Sequence, residues 1–189
     1  MTPSVDATTL VILAVIATPP MLVAVMYNGH VNRRNAVNYA YASIDVQLKK
    51  RWDLIPNLVE TVKGYTRHEK ELLETLTRAR RQAKDLHDDS HDRFSGESQI
   101  NQAVPQLLAL AESYPELKAD KQFLNLQRNL TEVEAQIAAA RRAYNAAVMD
   151  YNNGVDMFPS SIIASLFGFA RRHHFATKPS ERDTPNVAI

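Results

Sequence analysis

Apolar residues recur along most of this chain at three- and four-residue steps, the spacing of one face of a helix. Val37, Tyr41, Ile44, Leu48 and Trp52 form one such stripe. A second runs through Leu58, Val62, Tyr65, Leu72, Leu76, Ala79, Ala83 and Leu86, with Glu69 as its polar interruption. Ile100, Val104, Leu107, Ala111 and Tyr114 form a third. The fourth carries Phe123, Leu126, Leu130, Val133, Ile137, Ala140, Tyr144, Ala147, Tyr151, Val155 and Phe158, and ends at Pro159. No segment alternates with the period of two that a half-buried strand shows. Seams this long imply partner helices at shallow crossing angles, as in a coiled coil. The pattern predicts an all-α protein whose main domain is an up-and-down bundle of four long helices.

Helix-breaking and capping residues divide the stripes. Asp53 reads as an N-cap, with Pro56 in the following first turn. The second stripe then forms one helix from Asp53 to Leu86, about 50 Å long at roughly 1.5 Å per residue. His87–Gln99 is polar and contains Gly96, so it reads as a loop. Pro105 kinks the third helix or marks its start, and Tyr114-Pro115 is a turn signal. Asn152-Asn153-Gly154 loosens the last turns of the fourth.

Thr9–Met26 differs from all of these, because it contains no charged residue. Its roughly 18 residues sit at the lower end of what a membrane-spanning helix needs. Tyr27 follows, where an aromatic ring suits the headgroup layer. A signal peptide is the rival reading. It wants a positive N-terminal region, whereas Met1–Thr8 has no Lys or Arg and contains Asp6. Pro19-Pro20 should break or kink the span. No linker separates the span from the first stripe, so one helix can run directly into the other. Arg33 and Arg34, with Lys49, Lys50 and Arg51 beyond, lie on the C-terminal flank. The positive-inside rule therefore predicts a cytoplasmic domain on a single-pass inner-membrane protein.

Ser160–Phe175 is short and apolar, with basic residues near its end. It either lies in the membrane interface or packs on the bundle. Ile162, Ile163, Leu166, Phe167 and Phe169 are its candidate membrane or partner contacts. Thr177–Ile189 is polar with two prolines and reads as disordered. The expected organisation is a short segment 1–8, a transmembrane helix 9–27, a helical bundle 28–159, an apolar segment 160–175 and a tail 176–189.

Composition narrows the function. Lys and Arg total 22 against 21 acids, which argues against the clustered basic face of a nucleic-acid binder. There is no cysteine. That excludes disulfides, thiolate zinc sites, a cysteine nucleophile and a lipidated N-terminal cysteine. The 5 glycines include no phosphate-cradling cluster. His68-Glu69 begins like a zinc-protease motif, but the second histidine position is Leu72. His87 and His91, four apart beside Asp88, Asp89 and Asp92, could chelate a divalent ion on a helix, and read more simply as a solvated acidic loop. No Ser-His-Asp or paired-carboxylate arrangement can be assigned. The expectation is no catalytic, cofactor or metal site, and no small-molecule substrate.

Polar residues beside the seams remain. Asp45, Lys49, Arg51, Asp53, Pro56, Asn57, Glu60 and Glu69 make a candidate interaction patch. Its simpler reading is surface ion pairs worth well under about 1 kcal/mol each, with Pro56 and Asn57 set by helix-start geometry. Glu69 either faces solvent or needs a partner or a raised pKa.

Four stretches resemble one family. They are Asp45–Glu69 (DVQLKKRWDLIPNLVETVKGYTRHE), Ala111–Ala119 (AESYPELKA), Ala138–Asn145 (AAARRAYN), and Phe158–Ala164 (FPSSIIA) with Phe167–Phe169 (FGF). Together they resemble the LemA family, collinearly from about Tyr27 to Phe175. The resemblance implies a bacterial membrane protein with an N-terminal span and a helical bundle, and no known enzyme activity. Some members of that family are lipoproteins. This chain departs from them by lacking the lipidated cysteine, and from the family by its Pro19-Pro20 pair. The expected function is a membrane-anchored, non-catalytic scaffold or interaction protein that forms homo-oligomers or binds another membrane protein. The alternative is a regulatory or sensory subunit of a membrane protease or signalling protein.

Overall fold

The computed structural model describes residues 7–66, 69–85 and 91–175, without the side chains of 7, 9, 11, 14, 85 and 91–95. The expected disordered tail and His87 lie outside the described residues, as does the side chain of His91. Among the described residues the protein is all helix and connections, with no strand. Helix α1 spans Ala7–Lys63, α2 Lys70–Asp85 and α3 His91–Leu110. A 3-10 turn at Ala111–Ser113 leads into α4, Pro115–Ala119. Helix α5 covers Lys121–Asp156 and α6 Ser160–Leu166.

Helix α1 corrects two boundaries. It runs through Pro19-Pro20, and it runs through Asp53–Pro56, where a new helix was expected. The reason lies in the stripe. Ile44, Leu48 and Trp52 are buried, and the same face continues without a phase shift through Ile55, Leu58, Val59 and Val62. Burial of that continuous face outweighs the backbone hydrogen bond lost at Pro56. The break comes instead at Gly64, inside the expected 53–86 helix. There the Tyr65 and Thr66 amides both donate to the Val62 carbonyl, and the Thr66 hydroxyl bonds it too. Glu69 then sits in the α1–α2 connection, and its carbonyl accepts from the Leu73 amide. The expected 87–99 loop is also shorter, since α3 begins at His91. Pro105 lies inside α3 on its exposed side, where a missing amide costs least.

Two compact units divide the chain. One is Met1–Ala42 with Ala140–Ile189; the other is Ser43–Ala139. In the second, three stripes meet as expected. Leu73, Leu76, Ala79 and Ala83 of α2 are buried, as are Ile100, Val104 and Leu107 of α3 and Phe123, Leu126, Leu130, Val133 and Ile137 of α5. Gly96 packs backbone to backbone on Ala79 and Ala83: a Cβ there would lie 2.8 Å from the Ala83 nitrogen and 2.9 Å from the Ala79 oxygen. Asp120 caps α5, accepting the Phe123 amide at 2.8 Å.

The first unit has its own core of Val37, Val148, Tyr151, Ala164 and Phe169, with Val31, Tyr144, Ala147 and Val155 half-buried around it. Here α1 and α5 run antiparallel: Arg33 Nε meets Asp150 Oδ2 at 3.2 Å, and the Tyr41 and Tyr144 rings lie 5.8 Å apart. The Ser160–Phe175 segment packs on this core through Ala164 and Phe169, and Ile163 is buried as well.

Among the described residues, little covers the start of α1. Leu10, Ile12, Leu13, Val15, Ile16, Met21, Leu22 and Val25 are all at least half exposed. Among the described residues, no helix is long and apolar enough to cross a membrane.

Candidate functional site

The polar residues of the expected patch do not share one surface. Lys49, Asp53, Asn57 and Glu60 are exposed, and Asp45 and Pro56 half-buried. Glu69 is half-buried and lines a polar groove with Leu72, Thr75, Gln99, Gln102 and Gln106. Arg51 is fully buried in the second unit.

Arg51 stands three residues after Leu48 and four before Ile55, so helical spacing puts it on the buried face. Its guanidinium is enclosed by acceptors from two other helices. Nη2 pairs with Glu97 Oε2, while Nη1 donates to Asn101 Oδ1 at 2.7 Å and Glu134 Oε1 at 2.8 Å. The other Glu97 oxygen accepts the Trp52 indole N–H at 2.6 Å. The Trp52 carbonyl in turn accepts Arg80 Nε at 2.7 Å. A planar guanidinium with a fixed fork of donors suits this multi-partner role in a way a lysine does not. The cluster ties α1, α2, α3 and α5 together by polar contacts inside an otherwise apolar core. A buried ion pair is weak evidence for stability, but it specifies which helix faces meet. The acid and base groups neutralise one another.

Sequence reasoning missed Glu97, Asn101 and Glu134. Glu97 fell in the expected loop, although it shares a face with Ile100 three residues on. A buried tryptophan also needs a partner for its N–H, and Trp52 was read only as an apolar residue.

A second polar arrangement lies in the first unit. His30 is fully buried and stacks on Phe169, with ring centroids 4.9 Å apart. Its Nε2 lies 3.1 Å from the Ser160 carbonyl, which can only accept, so Nε2 carries the proton. Two asparagines of α5 hold the chain beyond α6. Asn152 donates to the Arg172 carbonyl and accepts its amide, both at 2.9 Å. Asn145, two turns earlier, does the same to Phe175 at 3.3 and 2.8 Å. The expected contacts of this segment divide. Ile163 and Phe169 are buried, whereas Ile162, Leu166 and Phe167 are exposed.

Lys63, Lys70, Arg78 and Arg81 line a shallow groove over Leu73, with Glu74 3.9 Å from Lys70. Among the described residues, no group of three or more His, Asp or Glu side chains is placed to hold a metal ion.

The long collinear motifs and this helical fold find a counterpart in one family model: that of the LemA family matches residues 40–189. The chain belongs to the LemA family. Among its relatives is the protein LemA of Metamycoplasma hominis, 24% identical over 151 residues, which cover 76% of this chain and 69% of that protein. Magnetosome protein MamQ 2 of Paramagnetospirillum magneticum is 34% identical over 85 residues, and magnetosome protein MamQ of Magnetospirillum gryphiswaldense 31% over 85. Each alignment covers 45% of this LemA-family chain but only 31% of the MamQ protein. The chain thus spans under a third of the length of those relatives. The asparagine grips, the Arg51 cluster and α6 all lie within the matched region.

Proposed function

We propose that this LemA-family protein is a membrane-anchored, non-catalytic interaction protein that associates with copies of itself or with another membrane protein. The observation that carries the reading is the two-part character of α1. From Leu48 to Val62 the helix buries one apolar face in its bundle. From Leu10 to Val25 every described side chain is uncharged and exposed. A helix apolar all round needs an apolar environment. The sequence from Thr9 to Met26 carries no charge over roughly 18 residues, and a single-pass span in the bacterial inner membrane would satisfy it. Arg33 and Arg34 just beyond it favour a cytoplasmic bundle. Exposed helix faces, rather than a reactive centre, then carry the function, and self-association of long helices is the simplest use of them.

The test is chemical cross-linking in native membranes, followed by detergent extraction and size analysis. The protein should resist alkaline extraction and appear as discrete oligomers or as a defined complex. A monomer released by alkali and copurifying with nothing would overturn the proposal. A reporter fused after Ile189 reads the orientation.

A further inference from the structure

We propose that α6 and the residues flanking it form a second, interfacial membrane contact, seated on an anionic lipid headgroup layer beside the α1 span. The proposal rests on the reading of α1 as a span and specifies what the apolar outer face of this unit touches.

Helix α6 is apolar on two sides. Ala164 belongs to the core of its unit, and Ile163 is buried beside it in sequence. Ile162 and Leu166, one turn apart on the other side, are 57% and 72% exposed, and Phe158 is 80% exposed. A short helix that buries one apolar face and still offers another is unusual on a surface bathed only by water.

The position of this face identifies its occupant. Phe167 and Phe169 pack edge-on against Tyr27, with centroids 4.9 and 5.6 Å away. Tyr27 directly follows the apolar stretch Thr9–Met26. If that run lies in hydrocarbon, α6 is held at the level where it emerges. The ring cluster of Tyr27, Phe167 and Phe169 then falls where aromatic side chains concentrate in membrane proteins. Ile162 and Leu166 would dip about 5–10 Å into the headgroup and acyl boundary, as interfacial helices do.

Charge points the same way. Arg34 lies over the Phe169 ring at 5.5 Å, and Arg171, Arg172, His173 and His174 follow, all exposed. Asp150 and Asp156 pair with Arg33 and Arg171. The remaining surplus is positive, which favours an anionic leaflet.

Because the chain has no cysteine, single labels can be placed at will. Spin labels at Ile16→Cys, Ile162→Cys, Leu166→Cys and, as a water-exposed reference, Asn129→Cys would be read in the full chain. The vesicles are of phosphatidylethanolamine and phosphatidylglycerol, at low protein-to-lipid ratio. All four positions are exposed, so the fold should tolerate them, and circular dichroism checks this. The expected result is a ratio of oxygen to nickel-chelate collisions that is highest at 16, intermediate at 162 and 166, and lowest at 129. Labels at 162 and 166 that match 129, with 16 still deep, would overturn the α6 contact and leave the span standing. A label at 16 that also matches 129 would overturn both. Dipolar broadening at 162 or 166 without raised oxygen access would mean that a second copy covers the face, which also overturns the proposal.

Discussion

Arg51 and Glu97 pair inside a helical core, and among the described residues the Glu97 carboxylate also accepts the Trp52 indole N–H. Arg51→Met therefore strands a buried carboxylate beside a neutral donor. The expected loss is about 3–5 kcal/mol in urea denaturation. The double variant Arg51→Met/Glu97→Leu removes both charges and should regain most of that loss. Equal stability of the single variant and the wild type would mean that the pair is open to water in solution.

Gly96 and Gly154 separate two kinds of close approach. At Gly96 an added methyl meets the backbone of Ala79 and Ala83, which cannot turn aside. Gly96→Ala should therefore push α2 and α3 apart, at a cost of about 1–3 kcal/mol. At Gly154 the obstacle is the far end of the Arg33 side chain, 2.9 Å away. Arg33 can swing off Asp150, and the helix gains about 0.5–1 kcal/mol from losing a glycine. Gly154→Ala should be neutral or slightly stabilising in the same denaturation assay.

Leu76 is completely buried, and Leu72, one turn before it, only half so. Leu76→Asp places an unpaired charge in the core and should cost several kcal/mol, on the order of 3–5. Leu72→Asp can turn its carboxylate to the groove and should cost clearly less. Thermal melts of the two variants order them, and a reversed order would mean that the buried face of α2 is misassigned.

The Tyr65 hydroxyl donates to Asp120 Oδ2 at 2.8 Å. The Phe123 amide, then this hydroxyl, holds Asp120 below the usual carboxylate range, and the same bond raises the Tyr65 phenol. With a lowered pKa, the Asp120 contribution is complete above the ordinary carboxylate pKa and fades as pH falls through its folded value. The Tyr65 contribution is complete below the ordinary phenol pKa and is lost as pH rises through its raised one. Tyr65→Phe should shift the Asp120 midpoint upward in a carboxyl NMR titration, and an unmoved midpoint would refute the contact.

The stripes on α2, α3 and α5 were legible because burial follows helical period: Leu76, Leu107 and Leu130 all lie where the spacing put them. The boundaries were not. Asp53 and Pro56 have the local chemistry of a helix start, yet the apolar face they interrupt is continuous, and packing won. Gly64 was the true break, hidden because Val62 and Leu72 keep the heptad spacing across it. The polar interior was the least legible. Arg51 carries the right phase for burial, but its partners come from α3 and α5, and no local pattern announces a contact between residues 51, 97 and 134.

Asn145 and Asn152 bond only main-chain atoms of Phe175 and Arg172. The course of that segment is therefore encoded in large part in α5. At 172 any residue with an amide hydrogen keeps the main-chain grip and proline alone loses it, whereas at 175 the Phe175 ring also packs against Tyr144 and Arg141. The side chains at 173 and 174 are exposed and take no part in that grip, whereas Arg171 adds an ion pair to Asp156 at 3.6 Å. Substitutions at 173 and 174 can therefore change the outer chemistry of the segment while its course along α5 stays as it is.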